Sequence, residues 1–98
     1  MKLYIIVRET LTAGLKAAQA CHAAIAFTQA YPEKTREWMP DNNIVVLEHS
    51  DMDGLASVLE GMGLDLVRFH EPDLDDQLTA ICVEPAARRH VSTLRLAG

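Results

Sequence analysis

The sequence predicts a single α/β domain with a four-stranded mixed sheet and helices on both faces. Apolar, β-branched runs alternate with alanine-rich or amphipathic segments, which is typical of strands that alternate with helices. The chain of 98 residues is long enough to bury one core but not two, so we expect one domain over residues 1–98. With 49% hydrophobic and 23% charged residues, the composition is that of a folded globular protein, not of a disordered or fibrous chain.

The N-terminal segment predicts a buried strand followed by a long helix. Residues 3–7 are a continuous β-branched and aromatic run, as in a strand that is covered on both faces. Residues 15–30 are rich in alanine and contain neither Pro nor Gly, which favours a helix of four turns. Thr10 or Thr12 is the expected N-cap of this helix. A Tyr-Pro pair ends it, because the residue before a proline disfavours the α conformation.

The rest of the chain continues the alternation of strands and helices. The predicted elements are a short helix over 32–38, a strand over 44–47, a helix over 52–62, strands over 64–69 and 78–83, and a last helix over 86–94. The order is therefore β-α-α-β-α-β-β-α. Strands that flank helices should be parallel, through right-handed crossovers. The last two strands are joined by a connection too short for a crossover helix, so we expect them to be antiparallel.

Charge and cysteine content exclude several classes of protein. Fourteen acidic residues against nine Lys and Arg give a formal net charge of −5. This balance argues against a histone-like binder of nucleic acid, which neutralises phosphates with Lys and Arg. The two cysteines are far apart and outside any CxxC pattern, so they predict reduced, buried thiols and neither a zinc site nor a disulfide.

No segment approaches the ~18 apolar residues that span a bilayer and no leader is recognisable, so we expect a cytoplasmic protein.

The first helix carries a polar pair in an otherwise alanine-rich surface. Gln19 and His22 are three residues apart and are therefore neighbours on one face. One interpretation is a hydrogen-bonded histidine at the edge of the helix. The other is a general base that titrates near neutral pH, held by the neighbouring amide in a cleft. Spacing alone leaves both interpretations open.

Two charged clusters are further candidates for binding. Residues 71–76 contain four carboxylates, which indicate either a solvated turn or a weak magnesium site. A calcium-binding EF-hand is excluded, because no glycine stands at its sixth position. Arg88, Arg89, His90 and Arg95 form a basic cluster that is either a solvated helix end or a contact for phosphates. Such a local basic face can meet phosphate even when the total charge is negative.

The sequence resembles a known family at two places. Residues 14–23 read Gly-Leu-Lys-Ala-Ala-Gln-Ala-Cys-His-Ala and resemble the signature G-K-x-A-A-Q-x-x-H-A of the type II peptidyl-tRNA hydrolases. Residues 79–85 read Thr-Ala-Ile-Cys-Val-Glu-Pro and resemble the final strand of that family, T-x-L-A-I-G-P. Leu15 stands where the signature has lysine, and Lys16 follows it one position later. The family motif D-A-G-x-T-Q is absent, and Glu71-Pro72-Asp73 occupies its region.

The resemblance implies an enzyme that hydrolyses the ester between a peptidyl group and the terminal ribose of tRNA, without a metal or another cofactor. It implies a catalytic site made of His22, Gln19, Thr79 and either Glu71 or Asp73, and substrate contacts are expected at Lys16, Gly14, Arg88 and Arg89. His22 would take a proton from water while a carboxylate fixes its tautomer. Gln19 or Thr79 would donate a hydrogen bond to the developing oxyanion.

Two other functions compete with this expectation. One is a catalytically silent module that binds tRNA, a protein or a small ligand on the same scaffold. The other is a cation-dependent hydrolase or cation-binding domain centred on residues 71–76. A homodimer is a further expectation, because small α/β domains often pair.

Overall fold

The computed structural model describes all residues from 1 to 98 and contains one mixed sheet. Its strands are β1 (Lys2–Arg8), β2 (Asn43–His49), β3 (Leu66–Glu71), β4 (Gln77–Val83) and β5 (Arg95–Leu96). Their order across the sheet is β3-β4-β1-β2-β5. β1 and β2 are parallel, and every other neighbouring pair is antiparallel. The predicted parallel crossover after β1 and the antiparallel β3–β4 pair are therefore confirmed.

Four helices connect these strands. They are α1 (Ala13–Ala30), α2 (Pro32–Trp38), α3 (Met52–Gly61) and α4 (Arg88–Val91), and single 3₁₀ turns cover Pro72–Leu74 and Pro85–Ala87. The side chain of Thr12 accepts from the backbone N–H at the start of α1, and Asp51 does the same for α3. Gly63, with φ of 80°, turns the chain after α3 in a conformation that favours glycine. The predicted long helix and its threonine cap are thus confirmed.

The helices cover both faces of the sheet. On one face, Ile5 of β1 packs in a cluster with Phe27 of α1 and Trp38 at the end of α2. On the other face, Ile6 packs in a cluster with residues of α3 and α4. Residues 3–7 are accordingly buried along their whole length, as a strand between two layers must be. The α/β class and the three-layer arrangement agree with the prediction.

The predicted number of strands is wrong, because β5 adds a fifth. Residues 86–94 were expected to be one helix, but α4 ends at Val91. The chain then turns and places Leu96 opposite Leu47 and Arg95 opposite Glu48, on the outer edge of β2. A strand of two residues is too short to show the period-two alternation by which strands are recognised in a sequence. β5 can form because no other strand pairs with the outer edge of β2.

The two cysteines differ in their environment. Cys82 is buried in β4, and burial raises the pKa of its thiol to about 12 because the thiolate would lose its hydration. Cys21 is exposed, so the prediction that both thiols are buried is wrong for this residue. It lies beside the stripe by which α1 contacts the sheet and lines an apolar groove of about 450 Å³ between α1 and β2. None of the helices is long and apolar enough to cross a membrane.

Candidate active site

A chain of three polar side chains lies between α1 and the edge of the sheet formed by β3 and β4. Gln19 Nε2 donates a hydrogen bond to Glu71 Oε1 at 2.9 Å. The hydroxyl of Thr79 donates to Gln19 Oε1 at 2.7 Å. One amide therefore links a threonine on β4 to a carboxylate at the end of β3. Of the two carboxylates that the sequence left open, Glu71 contacts the predicted site, whereas Asp73 is exposed in the 3₁₀ turn that follows.

A β-bulge directs Thr79 toward the helix. Phe69 pairs with Ala80 and His70 pairs with Leu78, so Thr79 is an extra residue on β4 without a partner on β3. Ala80 already packs in the apolar cluster beneath α1, and in a regular strand its neighbour would face the opposite side. The bulge allows both residues to face α1, and this brings the hydroxyl of Thr79 within reach of Gln19.

Arg8, at the end of β1, holds the carbonyl group next to the bulge. Its Nε and Nη2 donate to the backbone oxygen of Leu78 at 3.0 and 2.9 Å. Leu78 directly precedes Thr79, and this bidentate contact fixes the backbone at the position where the β3–β4 ladder is irregular. Arg8 is therefore a positioning residue for Thr79, and it was not among the residues that the sequence singled out.

The three hydrogen-bonded side chains differ in their exposure to solvent. Gln19 is 1% exposed and Thr79 is fully buried, whereas Glu71 is only half-buried. A substrate in solution can therefore reach Glu71 but not the two groups behind it. Since Gln19 occupies only Oε1, the second carboxylate oxygen of Glu71 has no hydrogen-bond partner in the protein. Gln19 and Thr79 hold Glu71 from the buried side of these three residues.

His22 lies next to this polar chain but does not take part in it. Its imidazole stacks on Phe69 of β3, with ring centroids 4.7 Å apart and planes inclined by 16°. The expected carboxylate does not accept a hydrogen bond from the imidazole, because Glu71 accepts one from Gln19 instead. The side chain of His22 is exposed. Of its two interpretations from sequence, neither the hydrogen-bonded edge residue nor the base held by an amide describes its contacts.

The remaining expected substrate contacts lie apart from Glu71. Lys16 is buried and its Nζ is 3.1 Å from Glu48 Oε1 on β2, on the other side of the axis of α1. Gly14 is exposed in the first turn of α1. Arg88 and Arg89 are exposed in α4, which follows the opposite end of β4, and Arg88 lines a polar cavity beside the start of β1. No group of three or more His, Cys, Asp or Glu side chains converges as a metal-binding site requires.

Two residues that contact α1 were not identified from the sequence, although the pattern of their strands carried a signal for each. Glu48 follows Ile44 and Val46 at period two, so it had to share their face of β2 and meet the underside of α1. Phe69 ends the alternating run of the third strand, on the same face as Glu71 two residues later. In both cases the alternation was visible, but the identity of the helix residue opposite depended on the packing angle of α1.

The chain matches the model of a known family over almost its whole length. The model of the family described as peptidyl-tRNA hydrolase PTH2 matches residues 1–95. The chain belongs to this family. No curated protein matches the sequence.

Within the PTH2 family signature, the lysine position is the main departure. Leu15 occupies it and is 39% exposed. Leu15, Gln19 and His22 follow the spacing i, i+4, i+7 and lie on one stripe of α1, on the side of β3. Lys16 is rotated by about 100° from Leu15 around the helix, and its Nζ donates a hydrogen bond to Glu48. No cation of α1 therefore stands beside Glu71 in this PTH2 protein.

The Lys16–Glu48 pair makes a prediction for acid stability. The hydrogen bond from Lys16 holds the pKa of Glu48 below its usual value of 4.5, and the backbone N–H of Gly98 acts in the same direction. A carboxyl with a lowered pKa in the folded state stabilises the fold above its unfolded pKa and loses this contribution as the pH falls through the folded value. Between about pH 5 and about pH 3, the denaturation midpoint of the wild type should therefore fall more steeply than that of Glu48→Gln.

The control for this prediction is Glu33→Gln, which changes an exposed carboxylate of α2 without an ion-pair partner. Its stability should follow the wild type across the same range. Parallel acid transitions for the wild type and Glu48→Gln would contradict the role given to the pair.

Proposed function

We propose that the chain hydrolyses the ester bond between a peptidyl group and the terminal ribose of tRNA, which releases the peptide and free tRNA. The observation that carries the proposal is the position of Glu71. This carboxylate lies in the region where the family has its own motif D-A-G-x-T-Q, and two buried groups of the matching signature segments, Gln19 and Thr79, orient it. Membership in the PTH2 family supports a hydrolase of this class.

In the proposed reaction, Glu71 is the general base. Its free oxygen takes a proton from a water molecule, and the water oxygen forms a bond to the acyl carbon of the ester. The tetrahedral intermediate then collapses, and the bond from the acyl carbon to the ribose oxygen breaks. Glu71 returns its proton to that oxygen, so that the products are a carboxylic acid and the hydroxyl of the tRNA terminus. The cycle consumes one water and regenerates the carboxylate.

Gln19 and Thr79 are positioning residues in this proposal. The hydroxyl proton of Thr79 occupies the amide oxygen of Gln19, so the amide can present only its N–H groups toward Glu71. This fixes which oxygen of the carboxylate accepts from the protein and which is left for water. The family resemblance implied that Gln19 or Thr79 donates to the oxyanion, but the burial of both residues favours the indirect role.

Product analysis tests the proposed function and separates it from a nuclease or a silent binding module. The purified chain is incubated with tRNA that carries an N-acetylated, radiolabelled amino acid. We expect labelled N-acetyl amino acid in the supernatant and an intact tRNA that an aminoacyl-tRNA synthetase can charge again. Shortened RNA would indicate a nuclease. Binding of the tRNA without release of label above the buffer control would favour the silent module and contradict the proposal.

A further inference from the structure

The stacked pair His22 and Phe69 has no part in the proposed proton transfer, yet it lies directly beside the contact between Gln19 and Glu71. The two rings are nearly parallel, at a centroid separation of 4.7 Å. Phe69 packs into the apolar cluster under α1, so it gives the imidazole a fixed support. Because His22 is exposed, the ring face that points away from Phe69 is open to a ligand.

Two neighbouring side-chain contacts join α1 to β3. In one Gln19 contacts Glu71, and in the other His22 contacts Phe69. The two contacts are about 5–7 Å apart, given the rise over three residues of a helix and two residues of a strand. This separation is comparable with the distance from a nucleobase to an acyl group on its own ribose.

We propose that the open face of His22 binds the terminal nucleobase of the RNA by stacking, while the ester on the same nucleotide meets Glu71. The inference rests on the proposed function, and it assigns a binding site to a residue that the sequence suggested as a base. Aromatic side chains that stack single-stranded bases are common in RNA-binding proteins, and such contacts tolerate any base because each has a π face. Stacking needs no positive charge, which suits a chain with a net charge of −5.

The test uses a fluorescent base and does not require turnover. The probe is an uncharged RNA hairpin that ends in ACC followed by 2-aminopurine, whose fluorescence is quenched when it stacks on an aromatic ring. We expect the wild type to quench the terminal base on binding. His22→Ala should bind about tenfold more weakly and lose the quenching, since one base stack is removed. His22→Phe should retain the quenching, because it preserves an aromatic ring on which the base can stack.

His90→Ala is the matched control, because His90 is also exposed but lies in α4. It should quench the terminal base as the wild type does. Quenching by His22→Ala equal to that of the wild type would overturn the stacking site, and so would loss of quenching in His22→Phe. If the wild type quenches the probe but releases no label from acylated tRNA, the stacking site stands and the hydrolase is rejected. If it releases label while quenching does not depend on His22, the hydrolase stands and the stacking site is rejected.

Discussion

Replacing Glu71 by Gln is expected to lower kcat for the hydrolysis of N-acetylated aminoacyl-tRNA by about 10²- to 10⁴-fold, the range for loss of a positioned general base. The substitution preserves the size of the side chain and its oxygen can still accept from Gln19, so the fold should be unaffected. KM should change little, because the carboxylate acts on the attacking water and not on the RNA. Steady-state kinetics at saturating substrate measure the effect.

Asp73→Asn is the control for Glu71→Gln. It removes the same charge two residues away, from an exposed 3₁₀ turn, and should leave kcat at the wild-type value. If Glu71→Gln hydrolyses the substrate at the wild-type rate, or if Asp73→Asn is the variant that loses activity, then the choice between the two carboxylates made from their contacts is wrong.

Replacing Leu15 by Lys is expected to raise kcat, by up to about 10²-fold, which is the effect of one donor directed at a developing oxyanion. Leu15 shares a stripe of α1 with Gln19 and His22 and is partly exposed, so a lysine there can extend toward the ester beside Glu71. The new ammonium would stabilise the negative charge of the tetrahedral intermediate. Lys16 does not provide this stabilisation, because it is buried against Glu48.

Ala17→Lys separates this effect from a general improvement in RNA binding. Ala17 is exposed and lies about 160° from Leu15 around α1, so the variant has the same net charge as Leu15→Lys but places the cation away from the site. It should alter KM at most, through attraction of the RNA at low ionic strength. Equal gains in kcat for both variants would contradict a local role at the oxyanion. No gain for Leu15→Lys would show that the lysine position is not what limits this chain.

The fold could be predicted from the sequence wherever an element was long and strongly patterned. The buried run 3–7, the alanine-rich helix and the short connection between β3 and β4 each had one consistent interpretation. β5 could not be predicted in this way, since two residues have no period and depend on pairing with β2. Cys21 was misplaced for a related reason. A helix rich in alanine has a weak apolar face, so the sequence does not show which residues meet the sheet.

The family resemblance placed Gln19, His22 and Thr79 in one site, and the first and last of these do meet through a hydrogen bond. The catalytic roles of the three residues stay predictions. The bulge that directs Thr79 to α1 depends on the register of β3 against β4, which no local pattern encodes. Likewise, the choice of Glu71 over Asp73 and the stacking of His22 on Phe69 follow from where β3 ends beneath the helix.

In the proposed reaction this PTH2-family chain cleaves an acyl ester of tRNA with Glu71 as its base. The most direct test is the single-turnover rate of N-acetyl amino acid release from acylated tRNA, with protein in excess. It is measured for the wild type, for Glu71→Gln and for buffer alone. We predict release by the wild type far above the spontaneous rate in buffer, and release by Glu71→Gln close to that rate. Equal rates for the wild type and Glu71→Gln, whether fast or at the level of buffer, would contradict the claim.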